Sequence, residues 1–194
     1  MAGLRELKKQ RTRETIQHEA LRLIAEQGYE TTTCEQIAAA AEVSPATLFR
    51  YFATKEDIVL HDVYDPLIAQ AVLARPAQES PLTAVRRGLA DAMSDIIETD
   101  LEAVRQRTAL ILSIPALRSR SREQHESLTS HLAQALAQRA ATSGTDLHVE
   151  VAAGVCAAAL TVAVERWARL GGDLRSHVDE ALAAVGTLTR GARR

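Results

Sequence analysis

Two helix-start signals set close together in the stretch from Thr33 to Asp57, TCEQIAAAAEVSPATLFRYFATKED, constrain this chain more than any other feature. Thr33 with Gln36, or Thr32 with Glu35, has the form of a capping box, in which side chain and backbone at a helix N-terminus satisfy each other's unpaired groups. Ile37, Ala38 and Ala41 then recur at helical spacing, and the alanines add propensity with little bulk, so a second helix can come close. Glu42-Val43 is the turn. Ser44-Pro45 restarts the helix, with serine as N-cap and proline at the first helical position, where its missing N–H costs nothing. Two short helices joined by a tight turn form a helix-turn-helix, and its second helix is the one that enters the DNA major groove.

The chemistry of that second helix is divided along its length. Ser44, Ala46 and Thr47 are small or hydroxylated, which lets the backbone approach base edges and the thymine methyl group. Leu48 and Phe52 sit four apart and face inward, whereas Arg50, Tyr51 and Lys55 point elsewhere and offer donors to phosphates. From Arg13, the positions Ile16, Ala20, Leu23 and Ile24 mark a preceding helix that ends at Gly28, a C-cap glycine.

VSPATLFRYFATKEDIV, from Val43 to Val59, resembles the recognition helix and following helix start of the TetR family of bacterial transcriptional regulators. Arg13 to Val59 is similar to that family's three-helix DNA-binding domain in order and spacing. The resemblance implies base-facing positions for Ser44, Pro45, Ala46 and Thr47, and phosphate contacts at Thr33, Phe49, Tyr51 and Lys55. Phe49 stands where tyrosine is commoner, so one phosphate hydrogen bond of many relatives is not available to it.

Composition narrows the class. Aromatics are 3% and the hydrophobic fraction is 46% over 194 residues, with alanine abundant, which favours tightly packed helices over a β-sandwich. A net charge of −2 provides no whole-molecule pull towards nucleic acid, so DNA affinity has to come from a local patch. Arg5, Lys8, Lys9, Arg11 and Arg13, set against Glu6, supply one; Met1 to Thr12 reads as a mobile basic arm that follows phosphates or enters the minor groove, or as a solvated tail. Cys34 and Cys156 belong to no metal-ligand spacing and read as reduced thiols of a cytoplasmic protein. The apolar run Val151 to Val164 falls short of the ~20 residues a spanning helix needs, so it reads as a buried helix and no membrane partner is expected. Neither hydrolase, metalloprotease, P-loop nor dinucleotide-binding patterns occur; no catalytic residue, metal or cofactor is expected. His61 and Asp65, four apart on one expected helix, are the sole metal candidates, and two ligands at that spacing are common by chance.

The rest of the chain reads as further helices. Glu56 and Asp57 start one that runs through Ile58, Val59, Val63 and Leu67, with a kink or break near Tyr64-Asp65 ahead of Pro66. After the loop PAQESP comes an amphipathic helix with Leu82, Val85, Leu89, Met93, Ile96 and Ile97, and a break at Ile114-Pro115. Helices over about Ser121 to Ala141, ended by Ser143-Gly144, then over Leu147 to Leu170 and Leu174 to about Thr189 complete the chain. The fold class is all-α: a helix-turn-helix domain over residues 1–57, and over 58–194 a helical bundle for ligand binding and dimerisation, about nine helices in total.

A helix-turn-helix reads few base pairs, so a homodimer is expected, through the last two helices. There Ala152, Ala153, Gly154, Ala157, Ala158 and Ala159 permit close approach, and the stripe from Val178 to Leu188 completes a four-helix bundle with its mate. In the middle helices Met93, Ile97, Leu101, Val104, Leu110, Ile111 and Leu117, with Arg107 and Trp167, form a candidate ligand pocket; the same aliphatic side chains also suit plain core. Arg105, Arg107, Arg118, Arg120 and Arg122 are either a solvated face or donors for an anionic head group. Ile114 to Arg118 and Glu165-Arg166-Trp167 resemble the acyl-CoA-type branch of the family. Two functions are open: a repressor that binds a palindromic operator as a dimer and is released by a small hydrophobic or acyl-CoA-like effector, or a constitutive, architectural DNA-binding protein whose second domain only dimerises. In either, Thr47→Ala should change base preference at one operator position; an unaltered preference across a randomised operator library would show that Thr47 reads no base.

Overall fold

The computed structural model describes residues 3–62, 64–97, 101–142 and 146–191, and gives no side-chain detail for 93–97, 123–125 and 188–191. Among the described residues there are ten helices and no strand: α1 (Leu4–Gln27), α2 (Cys34–Ala40), α3 (Pro45–Tyr51), α4 (Lys55–Leu60), α5 (Asp65–Leu73), α6 (Pro81–Ile97), α7 (Leu101–Ser113), α8 (Pro115–Ala140), α9 (Leu147–Leu170) and α10 (Leu174–Gly191). They fall into two compact units, Met1–His61 and Asp62–Arg194.

In the first unit α1 packs on α2 and α4, and α2 packs on α3. Ile16, Ala20, Ile37, Ala38, Ala41, Leu48, Phe52 and Ile58 form the core. Of the two possible capping boxes at α2, the chain uses Thr33 with Gln36: Thr33 Oγ1 accepts from the Gln36 N–H at 3.3 Å, and Gln36 Oε1 accepts from the Thr33 N–H at 2.9 Å. Thr32 is buried instead and donates to the Gly28 carbonyl at 2.8 Å. A second capping box, Thr54 with Asp57, starts α4. Between α2 and α3 the chain reverses through Glu42, held at a left-handed φ of 54°, while the Val43 N–H donates to the Ala38 carbonyl at 2.9 Å. Gln17 ties α1 to the end of α4, donating to the carbonyls of Ile58 (2.9 Å) and His61 (2.7 Å).

The structure departs from the sequence expectation at the N-terminus and refines it at the connector. Residues 4–12 are not a mobile arm but the start of α1, because helix-favouring residues are supported by side-chain links at helical spacing, Lys9 to Glu6 and Gln10 to Glu14. Of the kink or break expected ahead of Pro66 the chain takes the break, and earlier than expected: α4 stops at Leu60 and α5 begins at Asp65 with Pro66 in its first turn, so His61, the C-cap of α4, and Asp65 do not share one helix. No group of three or more His, Cys, Asp or Glu side chains suited to a metal occurs among the described residues.

The second unit is organised on α9, which touches α6, α7, α8 and α10, while α5 packs on α6 and α8. One side of α9, including Ala153, Cys156, Leu160, Ala163 and Trp167, is buried with Val72, Val85, Leu132, Val178 and Leu182. The other side leaves Leu147, Val151, Val155 and Val162 exposed. By length and composition α9 is apolar enough to cross a membrane, a longer apolar element than the run expected to be simply buried. The Trp167 indole N–H closes the α9–α10 turn on the Gly172 carbonyl at 3.2 Å. Burial pushes the Cys156 thiol up to about 11. α8 starts at Pro115, well over one turn before the expected Ser121, since Pro115 fits the first helical turn and needs no donor there. The Ser143-Gly144 stop expected for α8 lies outside the described residues. The loop after α5 is clamped rather than loose: Glu79 accepts from Arg75 and Arg87, each at 2.7 Å, and Arg139 donates to the carbonyls of Arg75, Pro76 and Glu79.

α5 and α6 touch backbone to backbone at Gly88, where an added Cβ would lie 2.7 Å from the Val72 nitrogen and 2.8 Å from its Cα. Alanine gains about 1 kcal/mol of helix propensity over glycine, but overpacking against backbone costs about 1–3 kcal/mol or more, and no flexible side-chain end is there to give way. Gly88→Ala should therefore lower the thermal unfolding midpoint. A midpoint equal to or above wild type would show that the α5–α6 crossing can open without loss.

Candidate nucleic-acid interface

α3 is only seven residues long, too short to persist alone, and its orientation is set by what it buries. Leu48 is fully buried and Phe52 nearly so, which turns Ser44, Pro45, Ala46, Phe49 and Arg50 outward and leaves Thr47 and Tyr51 half-buried. The helix start is fixed by Ser44, whose Oγ accepts from the Thr47 N–H at 3.1 Å and donates to Thr47 Oγ1 at 2.9 Å. That leaves the Thr47 hydroxyl proton free to donate outward. Thr33, exposed beside the α2 N-terminus, also has its Oγ1 occupied as acceptor and its proton available. Phe49 is 48% exposed, a large apolar ring on the outward face. Arg50 and Arg13 both stand over the Tyr51 ring, at 5.6 and 5.5 Å from its centre, so three of the candidate contact groups are held in one stack.

Lys55 departs from its expected role as a free phosphate donor. Its Nζ donates to the carbonyls of Tyr29 (2.6 Å) and Thr32 (2.8 Å) and lies 4.1 Å from the Tyr29 ring centre, so one of three N–H donors is left for a phosphate. Beside it the Tyr29 hydroxyl donates to Glu56 Oε1 at 2.6 Å. Burial and the Glu56 carboxylate push the Tyr29 hydroxyl far above its ordinary range, and the same bond pulls Glu56 below the ordinary carboxylate value. Gln17, Tyr29, Glu56 and Gln27, which donates to Gln36 at 2.9 Å, thus form a polar frame under the helix pair. None of them was singled out from sequence as part of the site, because each bonds a partner on another element that local spacing does not reveal.

Of the nine candidate pocket residues in the second unit, seven have described side chains. Leu117 is fully buried, Trp167 lies in the core, and Leu101 and Val104 pack against its margin. Leu110 and Ile111 are half-buried, while Met93 and Ile97 lie outside the residues with described side chains. Arg107 is buried and its Nη2 meets Asp62 Oδ2 at 2.6 Å. Burial raises the Asp62 carboxyl, but the Arg107 charge, the Tyr64 N–H and the Arg107 hydrogen bond outweigh it, and Asp62 titrates below the ordinary value. Asp65 goes the other way, to about 6, through burial and the Asp62 charge beside it. A separate cleft of about 280 Å³ opens where α7 meets α8, lined by Leu112, Ser113, Pro115, Arg118, Ser119 and Arg122. None of the seven with described side chains lines it.

Residues 16–61, the helix-turn-helix and its flanking helices, match the model described as "Bacterial regulatory proteins, tetR family", and residues 79–189 match that of the MftR C-terminal domain. The chain belongs to the TetR family. It is a DNA-binding, helix-turn-helix transcriptional regulator, and the relatives it matches are regulators rather than enzymes. Among them, the HTH-type transcriptional regulator TcmR of Streptomyces glaucescens is 37% identical over 152 residues, covering 75% of this chain and 66% of TcmR, just under two thirds of that relative's length. The mycofactocin biosynthesis regulator MftR of Mycobacterium tuberculosis is 28% identical over 180 residues, covering 90% of this chain and 89% of MftR. Of solved structures, the TetR-family repressor FadR of Thermus thermophilus, in complex with lauroyl-CoA, shares the fold with a TM-score of 0.55 at 24% identity, covering 88% of this chain and 91% of that one. FadR of Bacillus halodurans gives 0.52 at 19% identity, over 89% and 93% of the two chains.

In this TetR regulator Lys55 holds the α1–α2 loop to α4, so Lys55→Ala should cost about 1–3 kcal/mol of folding stability, the range for leaving a buried acceptor without its partner. Chemical denaturation followed by far-ultraviolet circular dichroism measures it. Stability unchanged alongside weaker DNA binding would mean that Lys55 serves DNA alone.

Proposed function

We propose that this TetR regulator is a dimeric, ligand-responsive repressor that binds a palindromic operator in the bacterial cytoplasm and releases it when a small hydrophobic or acyl-type molecule occupies residues 62–194. The observation that carries the DNA part is the exposed face of α3, where Ser44, Pro45, Ala46 and Thr47 face out from a helix anchored by Leu48. These four read bases; Thr33, Arg50, Tyr51 and the remaining Lys55 donor meet phosphates, and Phe49 makes an apolar contact.

Dimerisation through α9 and α10 is supported by the exposed apolar row Leu147, Val151, Val155 and Val162, interleaved with Gly154 and Ala158, for which a symmetry mate is the natural cover. The row lies on the side of α9 that its own core leaves unused. An effector with an apolar body and an anionic end is supported by two features: the arginine-lined cleft at Arg118 and Arg122, and the aliphatic residues Leu101, Val104, Leu110 and Ile111 on α7. FadR of Thermus thermophilus, similar in fold, holds lauroyl-CoA. Occupation acts by shifting the dimer between states with different half-site spacing, without chemistry on the ligand.

Duplexes enriched by this protein from its own genome, tested by gel shift with and without a panel of acyl-CoAs and uncharged hydrophobic compounds, should show binding to a two-fold symmetric site that at least one compound weakens. Binding indifferent to every compound would leave a constitutive DNA-binding protein; no binding to any symmetric duplex would remove the operator assignment.

A further inference from the structure

We propose that the N-terminal extension of α1, from Leu4 to Arg13, is a second DNA-contacting element that follows the phosphates outside the base pairs read by α3, with Arg5, Lys9 and Arg13 as its contacts. This rests on the reading of α3 as the base-reading helix. The extension precedes the family's DNA-binding match, which begins at residue 16, although it belongs to the same helix.

Geometry gives the extension a direction. Read around the helix at about 100° per residue, Arg5, Lys9 and Arg13 fall within about 60° of Ile16, the residue with which α1 enters the core. The face that packs inward from Ile16 to Ile24 therefore continues towards the N-terminus as a basic face. Burial agrees: from Gly3 to Thr15, Lys9, Thr12 and Arg13 are the partly covered residues and the others are exposed. Arg13 is in turn seated on Tyr51, which shares its ring with Arg50 of α3, so the root of the basic face joins the end of the candidate recognition helix.

Charge and length fit phosphates. Arg5, Lys8, Lys9, Arg11 and Arg13 face one acid, Glu6, in a chain whose net charge is −2. Lys9 is held by Glu6 at 2.9 Å, an exposed pair that a phosphate displaces easily. From Arg5 to Arg13 the helix rises about 12 Å, the length of three to four base-pair steps at roughly 3.4 Å each. A helix built for an anionic lipid surface needs a continuous apolar face; here Leu4 and Leu7, 72% and 47% exposed, share their side with Lys8 and Arg11, while Arg5 and Lys9 lie about 100–160° away from them.

The full chain carrying Arg5→Gln and Lys9→Gln, substitutions at exposed or half-exposed positions that keep helix propensity, tests this against wild type. Both bind a duplex enriched by the wild-type protein from a random-sequence pool, over a series of salt concentrations. The slope of log affinity against log salt should fall by about two per bound protomer, at roughly 0.9 per lost phosphate contact. The protected region should shorten by about three base pairs at each outer edge, with base preference unchanged. A variant with wild-type slope and protection, while wild type binds, overturns the extension alone. Failure of wild type to bind any enriched duplex overturns the reading beneath it, and the extension with it.

Discussion

Burial of one leucine organises the DNA-binding unit. Leu48 lies at the middle of a seven-residue helix, where it is fully enclosed by Ile16, Ile37, Ala38 and their neighbours. A helix of two turns has no stability of its own in water, so α3 exists because this contact and Phe52 hold it to α1 and α2. The same contact fixes the rotation of α3. With Leu48 inward, the small and hydroxylated residues at the helix start have no direction left but outward, and Ser44 pins the start by bonding the Thr47 N–H.

A ring of polar contacts then keeps the platform from shearing. Gln17 bonds the end of α4, Lys55 bonds the α1–α2 loop, and Tyr29 bonds Glu56, so α1, the loop and α4 are joined by groups that are costly to leave unpaired once half-buried. Glu42 adds a strained point at the turn, a non-glycine residue in left-handed conformation, tolerated because the hydrogen bond from Val43 to Ala38 closes the reversal around it. Hydrophobic contact sets where α3 lies, and the polar frame sets how rigidly.

The second unit solves a different problem with α9. Alanines and a glycine make this helix slim enough to serve as an axle for four others, yet its outer row of Leu147, Val151, Val155 and Val162 stays uncovered by its own chain. Asp62 and Arg107 tie the first residue of the unit to α7 by an ion pair, and the neighbouring Asp65 carries the cost as a carboxyl that holds its proton up to about 6. A charged pair at that depth is weak as a source of stability but strict about geometry.

Much of this was legible in the chain itself. Ser44-Pro45, Thr33 with Gln36, Gly28 and Gly171-Gly172 are local instructions, acting through hydrogen bonds within a turn or two, and the helix limits at α3, α9 and the end of α1 follow them. The spacing of Leu48 and Phe52 likewise specifies which side of α3 goes inward. Local pattern could not decide Thr33 over Thr32 as cap, the helical state of residues 4–12, or the end of α4 at Leu60, where competing signals are close in energy. Nor could it assign the Lys55 ammonium to the Tyr29 and Thr32 carbonyls, or Arg107 to Asp62, since these partners are distant in sequence and a charged side chain looks the same whether it faces solvent or a buried acceptor. Sequence determined the helices and their inward faces because those depend on neighbours a few residues away; tertiary structure decided the partners of the charges because only the packed chain brings them within hydrogen-bond reach.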